Sequence, residues 1–158
     1  MALAKVDGLR LLRDVCPDLI VPGGVRHECV ALGRERGEPD AAVIDAFLGT
    51  GHAEIVEYGA PLSTVSSWAL GRGEMEVLSL ALARPGRTAL LDDLRAREAA
   101  RTLGIAVRGT LGLLALAHHD ALLSPAELTA LVRLMTSRDD IWLDKAFCEK
   151  FLGELLRR

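Results

Sequence analysis

The stretch that decides the fold is residues 88–109, TALLDDLRAREAARTLGIAVRG. It predicts an apolar strand over 88–91, a helix over 93–103 that ends at Gly104, and a second strand over 105–107. Both strands are apolar on both faces, which is typical of parallel strands that are covered by helices. The stretch therefore predicts a strand–helix–strand unit with a parallel crossover.

The same alternation of short strands and helices extends outward from this unit. Apolar β-prone runs occur at 19–21 and 54–58, and apolar helices are predicted over 74–83 and 110–119. We therefore predict an α/β fold with three layers, α/β/α, around a short, mostly parallel central sheet, in one domain over residues 1–158. Further helices are predicted over 7–15, 24–36, 39–48, from Ser124 onward and over 143–157, with a loop over 59–73.

Composition narrows the classes of function. The chain has 158 residues with 19 basic and 22 acidic side chains, a net charge of -3, so it is not a basic nucleic-acid coat protein. Aromatic residues make up 4 %, which argues against a stacking platform for single-stranded bases. The three cysteines form no CxxC pair, which favours the reducing cytoplasm over a disulfide-forming compartment. No apolar run approaches about 18 residues, so we expect no membrane span.

The common nucleotide and metal motifs are missing from the sequence. It contains no GxxxxGK[ST], no GxGxxG after a strand, no HExxH, no GxSxG and no zinc-ligand spacing. The run His118-His119-Asp120 is a weak candidate, because neighbouring side chains on a helix point about 100° apart.

What remains is a set of acidic residues at positions where a parallel sheet forms its functional crevice. Asp92 and Asp93 end a predicted strand, Glu74 and Glu76 open the first turn of an apolar helix, and Glu28 lies on the helix after the 19–21 strand. Carboxylate oxygens there would suit Mg²⁺ or Mn²⁺. Acidic residues in first turns also stabilise helices through the macrodipole, and the residues alone leave both interpretations open.

Three motifs in a fixed order add a resemblance. Residues 71–83, GRGEMEVLSLALA, resemble a GEAE-type helix motif. Residues 90–97, LLDDLRAR, resemble an LIDDxxAR motif. Residues 104–112, GIAVRGTLG, resemble a GLxVxGTLG motif. Upstream, 20–28, IVPGGVRHE, is similar to a VPxxVxxE turn and helix, and 138–142, RDDIW, to a tail motif. Together they resemble the predicted nucleic-acid-binding PIN-like proteins, relatives of the PIN-domain ribonucleases, many of which are toxins of toxin–antitoxin pairs.

The resemblance implies roles for particular residues. PIN-type sites gather about four carboxylates around one or two divalent ions and hydrolyse RNA. The implied partners are RNA and an antitoxin protein. Apart from the resemblance, the apolar helix over 110–117 is either core or the surface of a homodimer. The catalytic carboxylates would be Glu28, Glu74, Asp92 and Asp93. The ligands of Mg²⁺ or Mn²⁺ would be these four residues and Glu76. The residues that contact nucleic acid would be Arg95 and Arg97.

The sequence departs from the family at its first strand. The family opens with a strand that ends in a DxS-type motif, whose Asp is the first metal ligand, whereas residues 1–6 match what usually follows that strand. In the family's sheet this strand would lie between those near 19–21 and 88–92, so its loss would leave backbone groups unpaired. Three explanations stand: a translation start further upstream, a decayed gene copy, or a sheet that is re-paired around the gap.

The leading hypothesis is therefore a PIN-like metal-dependent endoribonuclease, or an impaired copy of one. The second hypothesis is a non-catalytic module on the same fold that binds nucleic acid or protein. A third, a doubly wound domain for a small molecule, is opposed by the lack of a glycine-rich phosphate loop.

Overall fold

The structure is a computed structural model that describes residues 2–157. Within it the chain divides into two compact units. The central unit is Asp18–Gly109, and the terminal unit combines the segments before and after it.

Sixteen short elements follow one another along the described residues. They are a 3₁₀ turn Ala4–Val6, α1 Leu9–Val15, β1 Ile20–Pro22, α2 Gly23–Arg26, a π-helix His27–Leu32, α3 Gly33–Glu35, α4 Asp40–Gly49, β2 Glu54–Val56, α5 Ser63–Ser66, α6 Arg72–Ala83, β3 Thr88–Leu90, α7 Leu94–Thr102, β4 Ala106–Arg108, α8 Thr110–His119, α9 Pro125–Thr136 and α10 Lys145–Leu155.

This order confirms the predicted α/β class with parallel strands. The predicted loop over 59–73 is wrong in two places, because it contains the short helix α5 and because α6 begins at Arg72. The N–H of Leu62 donates to the buried hydroxyl of Ser79, 3.1 Å away, so α5 is fixed to α6 by a contact that local sequence does not reveal.

The strands of the central unit form two separate two-stranded parallel sheets. In the first, β1 pairs with β2 so that Val21 lies opposite Ile55. In the second, β3 pairs with β4 so that Ala89 lies opposite Val107. In the described residues β1 is not paired with β3, so the expected central sheet is divided and its two halves are not re-paired around the division.

Helix α6 packs against both half-sheets, since it contacts β1 and β3. Its Leu78 is fully buried in a cluster with β3 and the alanine-rich face of α7. Alanine has no side chain beyond Cβ, so α7 can approach the strands closely. The buried members of the cluster are Val65, Leu78, Ala89, Leu91, Ala96, Ala99, Ala100 and Ile105.

The terminal unit is helical. Helix α8 packs against α1 and α9, and its Leu113, Leu114 and Ala117 are buried, so most of the apolar surface of α8 is core. Helix α9 starts as predicted, with the Ser124 N–H donating to Glu127 Oε2 at 2.9 Å and the Ser124 hydroxyl accepting from the Glu127 N–H. No helix among residues 2–157 is both long enough and apolar enough to span a bilayer.

Candidate functional site

The site is built around the first turn of α6, where a buried carboxylate fixes the neighbouring turn. The Gly24 N–H donates to Glu76 Oε2 at 2.7 Å, and Arg72 Nε donates to Glu76 Oε1 at 2.8 Å. Glu76 is 0 % exposed, and a methyl group on Gly24 would lie 2.6 Å from its carboxylate. Both oxygens of Glu76 are therefore engaged in joining the start of α2 to α6.

Glu28 reaches the same turn of α6 from the π-helix. Its Oε1 accepts the Gly73 N–H at 2.9 Å, and a methyl group on Gly73 would lie 2.7 Å from its Oε2. A π-turn is wider than an α-turn and often occurs at functional sites. The glycine at 73 allows the carboxylate to approach the backbone of α6.

Glu74 lies at the third position of α6, and its Oε2 accepts the Gly71 N–H at 3.0 Å. Burial raises the pKa of the Glu74 carboxyl group, and repulsion from Asp93 and Glu28 raises it further, against the lowering effects of the Gly71 hydrogen bond and of Arg95. The Glu74 carboxylate is therefore near those of Glu28 and Asp93, and we call these three carboxylates the acidic cluster.

Asp93 brings the carboxyl end of β3 into this cluster. It is the N-cap of α7, and its Oδ1 accepts the Ala96 N–H at 2.9 Å. A side-chain oxygen that caps a helix is held in a fixed direction, so the capping bond orients the carboxylate.

Asp92 is exposed and lies beside a different group. A methyl group on Gly109 would lie 3.0 Å from Asp92 Oδ1 and 3.2 Å from Arg97 Nη1. The glycine after β4 therefore allows one carboxylate and one guanidinium to approach the same point.

The two arginines of the LIDDxxAR-like motif differ in their surroundings. The Arg97 Nε is buried and has no hydrogen-bond partner within residues 2–157. Arg95 Nη2 donates to the Trp68 carbonyl at 3.3 Å, and its charge lowers the pKa of Glu74. Arg95 is thus the cation beside the acidic cluster, and Arg97 is the arginine whose Nε–H makes no hydrogen bond among the described residues.

Sequence reasoning missed Glu57, which directly follows β2. Its carboxylate lies against the Cα of Gly23, so that a Cβ there would collide with it. Glu57 and Glu28 also contribute to the raised pKa of Arg72, whose largest cause is the hydrogen bond to Glu76. Its position just after a strand was the available signal, since Asp92 and Asp93 occupy the same kind of position after β3.

The structure thus brings together three of the predicted metal ligands, Glu28, Glu74 and Asp93, and engages a fourth, Glu76, elsewhere. Among residues 2–157, no group of three Asp, Glu, His or Cys side chains has the geometry to hold one ion. The oxygen atoms of the acidic cluster nevertheless suit a hard divalent cation such as Mg²⁺, because carboxylates are the usual ligands of such cations. A bound cation would also offset the repulsion that Glu28 and Asp93 exert on Glu74.

Comparison with known proteins identifies the family of the chain. No curated protein and no solved structure matched the chain. The family model described as DUF3368, PIN domain, matches residues 1–156 and therefore spans both units. The ordered motifs, the parallel α/β fold and this match agree, and the chain belongs to the DUF3368 family of PIN domains.

Proposed function

We propose that this PIN domain is a Mg²⁺- or Mn²⁺-dependent endoribonuclease and the toxin of a toxin–antitoxin pair. The observation that supports this most is the raised pKa of Glu74, due to burial and then to Asp93 and Glu28. Glu28 and Asp93, from two other elements, repel the half-buried Glu74 carboxylate, and a perturbed carboxyl group of this kind is typical of a functional site.

In this proposal Glu28, Glu74 and Asp93 would hold the divalent ion, which would supply activation of water and charge neutralisation at a phosphodiester. Asp92 is the fourth catalytic carboxylate, since it directly precedes Asp93 and is exposed. Arg97 and Arg95 bind phosphate groups of the RNA. Glu76 is a positioning residue, because its two oxygens are already used by Gly24 and Arg72.

The direct test is cleavage of a labelled single-stranded RNA pool by the full chain with Mn²⁺, with EDTA as the metal-free control. The matched variant is Asp92→Asn with Asp93→Asn, because Asn at 93 keeps the oxygen that caps α7. We expect cleavage that needs Mn²⁺ and falls at least about 100-fold in the variant. Equal metal-dependent cleavage by the variant would refute the assignment of these carboxylates.

The toxin role needs a separate test in cells. Induced expression of the chain in a bacterial host should arrest growth, and the double Asn variant should not when it accumulates to the same level. If both proteins arrest growth, the toxicity does not depend on Asp92 and Asp93, and the proposed toxin mechanism is contradicted.

A second candidate is a non-catalytic module that binds nucleic acid or protein. It is favoured by one observation: each carboxylate of the acidic cluster accepts a backbone N–H, from Gly73, Gly71 and Ala96 respectively. Carboxylates used in this way also stabilise helix starts without any metal. RNA binding measured by fluorescence anisotropy in EDTA, with no cleavage when Mn²⁺ is added, would favour this candidate.

A further inference from the structure

We propose that Arg72 binds a phosphate group of the RNA beside the acidic cluster, and that Glu76 orients its guanidinium for this role. The inference rests on the proposed function and adds to it a substrate-binding residue that lies outside the motif with Arg95 and Arg97. Arg72 is the first residue of α6, and Glu74 lies in the same turn.

The guanidinium of Arg72 is held at its inner end by a buried carboxylate. Arg72 Nε donates to Glu76 Oε1 at 2.8 Å, while Glu76 Oε2 accepts the Gly24 N–H at 2.7 Å. The Glu76 side chain is only 1 % exposed, so it cannot turn away without leaving the Gly24 N–H unpaired where water is excluded. The bond to Nε therefore fixes the direction of a side chain that would otherwise be flexible.

The outer end of the same guanidinium carries donors that the chain does not use. The Arg72 side chain is 64 % exposed, and among residues 2–157 its hydrogen bond to Glu76 goes through Nε and leaves both Nη atoms without a partner. The Nη atoms hold four of the five N–H donors of a guanidinium, in a planar fork. Such a fork matches two oxygens of one phosphate group.

Arg72 lies next to the acidic cluster, beside the carboxyl ends of two paired strands. The N–H of the following residue, Gly73, donates to Glu28 Oε1 at 2.9 Å. The pKa of Arg72 is raised first by its hydrogen bond to Glu76 and further by attraction from Glu57 and then Glu28. Glu57 directly follows β2, which pairs with β1. The surroundings of Arg72 are therefore provided by α6 and by the β1–β2 pair.

Arg72 and Arg95 lie beside different members of the acidic cluster. The charge of Arg95 counteracts the burial that raises the pKa of Glu74, whereas Arg72 attracts Glu28. A single-stranded RNA that crosses the cluster would thus meet one arginine beside Glu74 and another beside Glu28. Phosphates on both sides of the reacting bond would then be held by fixed cations.

The charges around Arg72 make its contribution depend on a divalent ion. When no ion is bound, the carboxylates of Glu28 and Glu57 repel an approaching phosphate. When the acidic cluster is neutralised, the guanidinium dominates the local charge and can bind the phosphate. An arginine that attracts RNA only at long range has no such dependence on the ion.

The test is binding of a fluorescein-labelled oligouridylate to the full chain, measured by anisotropy in Ca²⁺ and in EDTA. Calcium binds to carboxylate oxygens as Mg²⁺ does, and a gel checks that the oligouridylate stays intact. In Ca²⁺ we expect Arg72→Gln to bind at least about tenfold more weakly. Arg72→Lys should lose about threefold, because lysine keeps the charge without the planar fork.

The matched control is Arg36→Gln, at the exposed end of α3, which should bind within about twofold of the unsubstituted chain. In EDTA we expect Arg72→Gln to lose no more than about threefold. An equal loss for Arg72→Gln and Arg36→Gln in Ca²⁺ would overturn the inference. An equal loss for Arg72→Gln with and without Ca²⁺ would overturn it as well.

A second measurement on the unsubstituted chain covers the case that Arg72→Gln unfolds because Glu76 loses its cation. Phenylglyoxal modifies exposed guanidinium groups, and peptide mass spectrometry gives the rate at each arginine. An excess of oligouridylate in Ca²⁺ should slow the modification of Arg72 at least about threefold more than that of Arg36. Equal slowing at both residues would overturn the inference.

Failure of this inference is distinguishable from failure of the proposed function. If the unsubstituted chain cleaves the RNA in Mn²⁺ while Arg72 is neither protected nor needed for binding, only the role of Arg72 is refuted. If the unsubstituted chain binds no RNA in Ca²⁺ or in Mn²⁺, the proposed nuclease and the role of Arg72 are refuted together.

Discussion

The carboxylate of Glu76 and the backbone N–H of Gly24 form a 2.7 Å hydrogen bond in a place from which solvent is excluded. The bond joins two residues that are 52 positions apart in the chain. It fixes the start of α2 against the first turn of α6. Helix α2 continues into the π-helix that carries Glu28, and α6 carries Glu74. The arrangement of the acidic cluster therefore depends on a carboxylate that is not one of its members.

Replacing this carboxylate should destabilise the fold. Glu76→Gln gives up one acceptor oxygen facing either Gly24 or Arg72, so we expect the free energy of unfolding to fall by about 1–3 kcal/mol. Denaturant unfolding would measure the change, with Glu98→Gln on the exposed face of α7 as a control that stays within about 0.5 kcal/mol. An unchanged unfolding midpoint for Glu76→Gln would show that the buried bond contributes nothing.

Adding one methyl group should displace Glu28. Gly73→Ala places a Cβ 2.7 Å from Glu28 Oε2, so the carboxylate must move and weaken its bond to the Gly73 N–H. We expect a loss of about 1 kcal/mol in unfolding free energy and weaker Mn²⁺ binding. Gly49→Ala, where no atom lies within 4 Å of the added Cβ, is the matched control. If both variants bind Mn²⁺ equally, Glu28 does not take part in the site.

The raised pKa of Glu74 predicts a pH-dependent stability. Because burial, and then repulsion from Asp93 and Glu28, disfavour the ionised form in the folded state, stability falls as the pH rises from the ordinary carboxyl pKa, about 4.3, to the raised one. Without metal, Glu74→Gln should therefore be more stable than the unsubstituted chain at pH 7, and the advantage should vanish below pH of about 4. Unfolding curves across this range would measure it, and a variant that is less stable at pH 7 would contradict the sign.

We predict that the half-buried Arg97, whose guanidinium lies near Asp92, contacts a phosphate of the RNA. Arg97→Gln should weaken binding of a single-stranded oligouridylate and reduce the slope of log K against log salt by about 0.7. Arg101→Gln, on an exposed position of the same helix, is the control and should change the slope less. The measurement is anisotropy at several salt concentrations, and equal slopes for both variants would remove Arg97 from the RNA interface.

The sequence predicted the elements better than their pairing. Alternating apolar strands and helices were sufficient for the parallel α/β class, and the Ser124 capping box marked the start of α9. The division into two half-sheets could not be read from apolar pattern, because three-residue strands carry no information about their neighbours. The resemblance to the family, in contrast, did predict that the sheet is interrupted between β1 and β3.

Position in an element was enough to predict which of the candidate carboxylates lie near one another. Asp93 at the end of β3 and Glu74 in the first turn of α6 were predicted and lie in one cluster. Glu76 was predicted as a ligand of the same kind, yet the structure uses it to bind Gly24 and Arg72. Two carboxylates that are two positions apart on a helix point in different directions, and only the packing of the turn after β1 shows which of them is buried.

The most direct test of the central claim is Mn²⁺ binding by the metal-free chain at pH 7.5, followed by electron paramagnetic resonance of the free ion. If Glu28, Glu74 and Asp93 hold a divalent cation, binding will be saturable. Glu74→Gln will then weaken it at least about tenfold, and Glu98→Gln will leave it unchanged. No saturable binding, or equal affinity in all three proteins, would contradict the metal site and leave the acidic cluster with a structural role.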